Sequence, residues 1–203
     1  MMYGTTPYHY YYYYVRQSHP SLWPSSKVAL NQKLRTLWEQ HVFWTRLTIN
    51  SIVDRLADEK QTTARLLRNP KDFAALLEPL YGPDIAHKFE VLFTEHLTIA
   101  AELVKALQAG NTAAAADAQK RWFANAEAIA IFLNQINPFW SRAEWKEMLD
   151  EHLKLTAEEA TTRLAGNYDK NIALSDEIEI QALHMADMMM DGIVAQFPTL
   201  FTM

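Results

Sequence analysis

Residues 84–109 read DIAHKFEVLFTEHLTIAAELVKALQA. Phe89, Phe93, His96, Ala100, Leu103 and Leu107 recur at three and four, the spacing that lines one face of a helix turning about 100° per residue. Gly82-Pro83 precedes the run and Gly110-Asn111 follows it, so the helix has punctuation at both ends. The same stripe recurs on either side. Leu34, Trp38, His41, Thr45, Thr48 and Ile52 share one face, as do Trp145, Leu149, His152, Thr156, Glu159 and Arg163. A histidine holds the same register in all three, at gaps of 55 and 56 residues.

Working outward, helices are expected over about 26–58, 60–80 (broken), 84–109, 112–136, 141–165 and 170–197. Breaks are expected at Asn69-Pro70, Glu78-Pro79, Gly82-Pro83, Gly110-Asn111, Asn137-Pro138, Gly166-Asn167 and Pro198. Ser141 followed by Glu144 has the form of a capping box. Pro79-Leu80-Tyr81, Pro138-Phe139-Trp140 and Pro198-Thr199-Leu200-Phe201 each close a unit with proline and aromatics. The expected fold is all-α: an antiparallel up-down helical bundle of five to six helices, built from three helix-pair repeats.

Two regions are expected: a flexible Tyr-rich N-terminal tail over 1–24 and a single bundle domain over 25–203. Seven of the nine tyrosines lie in the first 14 residues, with His9 and His19 nearby. Tyrosine joins apolar area to a polar tip, so the tail is a candidate surface for a protein partner or for self-association. A tail lying over the bundle is the plainer alternative.

With 203 residues, 49% of them hydrophobic, the chain can bury one good-sized core. A net charge of −5 with no basic run argues against nucleic acid as a partner. There is no cysteine, so disulfides, zinc–thiolate sites and cysteine nucleophiles are excluded. No apolar run reaches the roughly 18 residues of a transmembrane helix. A basic segment followed by an aliphatic one is missing at the start, so no signal peptide is expected and the compartment is read as cytoplasmic or spore-associated. No phosphate loop, nucleophile elbow or HExxH motif is present.

A histidine on an apolar stripe is costly unless something binds it. Height along the bundle puts His96 level with Asn125, and His152 level with about position 182, within a turn of Glu179. His41, His96, His152 and Glu179 are therefore candidate ligands of one transition-metal ion, Fe, Zn or Mn. Thr45, Asn125, Thr156, Glu159 and Arg163 are candidates to orient them, with Arg163 expected to pair with Glu159 one turn away. A structural polar network, a small-ligand pocket and an enzyme using a buried Glu/His pair are the competing readings. Glu95 and Glu151 fall off the stripe. His184 is expected at the surface, and Met185, Met188, Met189 and Met190 in the core.

Glu95-His96-Leu97, Glu151-His152-Leu153 and Trp38-Glu39-Gln40-His41 resemble helices of uncharacterised helical-bundle proteins of spore-forming bacteria. Those are remotely similar to ferritin-like and haemerythrin-like metal bundles. The resemblance spans about 30–200 and implies a bundle that stores, senses or uses a metal. The Tyr-rich start resembles tails on some spore-coat proteins, which implies a structural or surface role as the alternative. Three residues before the histidines stand Trp38, Phe93 and Leu149, so no Glu-x-x-His ligand pair transfers from the ferritin-like family.

Overall fold

The computed structural model describes residues 24–202, and these form seven α-helices and a closing 3₁₀ turn. They are α1 (Ser25–Val53), α2 (Glu59–Leu66), α3 (Asn69–Tyr81), α4 (Pro83–Gln108), α5 (Thr112–Ile136), α6 (Arg142–Leu164) and α7 (Tyr168–Gln196), then Pro198–Phe201. No strand occurs among the described residues. The broken helix expected over 60–80 is the pair α2 and α3. The Tyr-rich expectation for 1–24 lies almost wholly outside the described residues.

Short connections make consecutive helices antiparallel neighbours, except α2 and α3, which do not pack on each other, and α7 packs back on α1 to close the bundle. The histidine-bearing helices α1, α4 and α6 touch one another in the middle, while α3, α5 and α7 lie outside them. Two turns share one chemistry. Gly110 and Gly166 take φ of 67° and 70°, which only glycine adopts cheaply. Asn111 and Asn167 follow them, and each caps the next helix by accepting a backbone N–H three residues on.

Two boundaries differ from the sequence reading. α1 ends at Val53 rather than near 58, because Arg55 takes φ of 54° and Leu56 N–H turns back to Ser51 C=O. A non-glycine residue in that conformation gives no sequence signal. Pro79 does not break α3; it lies in the last turns of a helix that continues to Tyr81.

The three proline–aromatic closures meet at one end. Tyr81 lies 5.8 Å from Trp140 and 5.3 Å from Phe197, ring centre to ring centre. Tyr81 Oη donates to Gln196 and accepts from Asn137. Trp140 is fully buried and its indole N–H donates to Met189 C=O. Its ring fits against α7 at Gly192, where a side chain has no room. Met185, Met189 and Met190 are buried in the main core, Met188 packs against it, and His184 is exposed. No helix among the described residues is long and apolar enough to cross a membrane.

Candidate functional site

His41, His96 and His152 are 2%, 2% and 3% exposed. Their rings belong to one aromatic row across the bundle. His152 lies 5.5 Å from His41, His41 stacks on Phe93 at 5.1 Å, Phe93 lies 6.1 Å from His96, and His96 lies 5.4 Å from Trp122.

His96 and His152 are held by one device. His96 Nδ1 is 2.9 Å from Asn125 Oδ1, while Asn125 Nδ2 donates to Leu92 C=O and to Glu95 Oε2. His152 Nδ1 is 2.9 Å from Gln181 Oε1, while Gln181 Nε2 donates to Met148 C=O. The amide follows its histidine by 29 residues in both. The carbonyl it grips stands four residues before that histidine, one turn down the same helix. The first repeat has the same parts: Asn69, on α3, donates to Leu37 C=O, four residues before His41. Here no hydrogen bond joins the amide to the imidazole: His41 Nδ1 and Asn69 Oδ1 have no hydrogen-bond partner among the described residues.

The clip fixes the proton. With the amide NH₂ committed to backbone carbonyls, the amide oxygen faces Nδ1, so Nδ1–H must donate. The Nε2 lone pair is then free, and Nε2 has no hydrogen-bond partner among the described residues. Burial pushes His41 well below its usual value, helped by His152 and His96 and opposed by Asn69. His96 is lowered to about 3 by burial, opposed by Asn125, with a further push from His152. His152 is lowered to about 4 by burial, opposed by Gln181. All three are neutral at pH 7. Neutral imidazoles with open Nε2 can ligate a metal or accept a hydrogen bond; they cannot supply positive charge.

Glu179 requires a correction. It is exposed on α7, near Glu39 of α1, whose own pKa is raised by desolvation first and by Glu179 second. Ile178 and Ala182 take the inward positions, and Gln181 reaches His152 from the edge of that face. A carboxylate at that level would be a buried charge beside neutral rings; an amide is satisfied there without charge.

The Glu159–Arg163 expectation also fails. Glu159 is buried and pairs with Arg46 of α1, which also donates to Asn171. Arg163 pairs with Asp54 beyond the end of α1 and lies over the Tyr168 ring. Both residues belong to a layer past the histidines and orient none of them. Thr45 and Thr156 stand one turn along from His41 and His152, but their hydroxyls have no hydrogen-bond partner among the described residues. Of the candidate orienting residues, Asn125 alone bonds an imidazole.

Asn69 and Gln181 were missed. The signal lay in their offset: each occupies, within one residue, the place Asn125 holds relative to His96. Among the described residues, no group of three or more histidine, aspartate or glutamate side chains is arranged to hold a metal ion. No protein-family model, no curated protein and no solved structure matches the chain.

Proposed function

We propose that this chain is a non-enzymatic structural or interaction protein, in which the histidine layer locks the register of three helix pairs. The amide grip on a backbone carbonyl that recurs in three repeats, and closes on the histidine in two of them, carries this reading. In the second and third repeats a side chain of the outer helix joins an inner-helix imidazole to the carbonyl one turn before it; in the first, Asn69 holds the carbonyl alone. A shift of either helix by one residue would separate both contacts. Such a layer gives up some apolar stability in return for a defined alignment, since every misalignment leaves buried polar groups unpaired. Neutral rings and amides suit this role, because no charge has to be buried.

A second reading is a transition-metal centre of Fe, Zn or Mn on His41 and His152, with His96 beyond Phe93. It is favoured by the unpartnered Nε2 atoms and by the 5.5 Å between the two ring centres. Two imidazoles bound at about 2.1 Å to one ion would have their centres at about this separation.

Elemental analysis of untagged protein separates the two. The register-lock reading expects well under 0.1 equivalent of any transition metal, and an unchanged melting temperature after chelation. Near-stoichiometric metal, with a melting temperature that falls on chelation, would overturn it in favour of the second.

A further inference from the structure

One turn past the histidines, the three repeats all carry small side chains: Thr45, Ala100 and Thr156, each four residues on. Leucine or isoleucine at any of these positions would extend the apolar stripe. The small residues instead open a cavity of about 20 Å³ for the centre of a water-sized sphere. Thr48, Ile49, Leu97 and Trp122 are among the other residues of its wall, and the surface facing the cavity is almost entirely carbon. The cavity adjoins a small core cluster of Ile49, Ile52, Val104 and Ala160 that stands apart from the main core.

We propose that this cavity is a binding site for a small apolar gas molecule, of the size and chemistry of xenon or dioxygen. Water needs about 10–15 Å³ of such space, so size alone admits it. A water also needs two to four polar partners; the candidates on this wall are the unpartnered hydroxyls of Thr45, Thr48 and Thr156 and the Trp122 indole N–H, and they sit behind its carbon surface, which leaves almost no polar area facing the space. Apolar cavities stay dry and take apolar guests, because the wall atoms regain dispersion contacts they otherwise lack. Recurrence of the small residue in all three repeats makes the space a property of the repeat rather than one packing fault. The inference goes beyond the register-lock reading and stands whether or not the histidines hold a metal.

The test is methyl NMR of the full chain under increasing xenon pressure. Shifts that saturate at the methyls of Ile49, Ala100 and Thr156, and are lost in Ala100→Leu, are expected. Thr156→Ile, which fills the cavity from another helix, should abolish them independently if the first variant does not fold. Shifts that grow linearly across all methyls, saturation that persists in a folded filling variant, or a long-lived water seen at these methyls in place of xenon would overturn the proposal.

Discussion

Below pH 6.5 the protein is expected to lose stability steeply and to unfold near pH 4–5. Its three buried imidazoles are neutral in the fold, with His96 lowered to about 3, His152 to about 4 and His41 well below 6.5. In the unfolded chain they protonate near the usual 6.5. Between these limits the unfolded state binds more protons, so stability rises with pH and falls as pH is lowered. Each imidazole contributes a loss of about 1.4 kcal/mol per pH unit. His96 and His152 together cost about 3 kcal/mol between pH 6.5 and 5, and His41 adds to the loss in the same direction, against the roughly 5–15 kcal/mol of a typical domain. Glu159 and Glu39 act in the opposite sense, because burial raises both in the fold, but Arg46 opposes the first shift and Arg35 the second. Urea unfolding at pH 7, 6 and 5 measures the slope. A free energy that stays flat from pH 7 to 5 would show that the imidazoles are not held neutral.

Gly192→Ala is expected to be among the most damaging single-methyl changes in the chain. A Cβ at Gly192 would land on Nε1 and Cδ1 of Trp140 and 2.9 Å from its Cε2. Trp140 cannot retreat: it is fully buried, hydrogen-bonded to Met189 and packed by Tyr81 and Trp145. Overpacking typically costs 1–3 kcal/mol, and here the upper end or beyond is expected. The better helix propensity of alanine returns about 1 kcal/mol at most. A net loss of about 3 kcal/mol lowers the melting temperature by roughly 6–12 °C. Adding Trp140→Phe to the variant should recover part of it, since the smaller ring withdraws the clashing atoms. A melting temperature equal to that of the parent would contradict the packing of the closed end.

The bundle was legible because its stripes are long and periodic, and Gly110 and Gly166 mark turns that demand a left-handed backbone. Arg55 was not legible, since it adopts that backbone without being glycine. The histidines stood out because an apolar stripe makes a polar residue conspicuous. Their partners did not. Asn69 opens a short helix beside a proline, and Gln181 lies at the edge of its helix's inward face, where a long side chain can reach in and its α-carbon position gives no hint. Glu179 drew attention through its charge, and charge is the property this layer excludes. Arg46 had the same disadvantage as Gln181: its partner Glu159 lies on another helix, 113 positions away, where spacing rules for one helix say nothing.

The central claim is that one amide clip holds His96 and His152 as the neutral Nδ1–H form. Long-range ¹H–¹⁵N correlation of the imidazoles at pH 6.5 tests it directly. The clip predicts that the rings of His96 and His152 carry a protonated, pyrrole-type Nδ1 and a bare, pyridine-type Nε2. The pattern at His96 should change in Asn125→Leu, with His152 left as it is. Either of these rings protonated at Nε2, or carrying both protons at that pH, would contradict it.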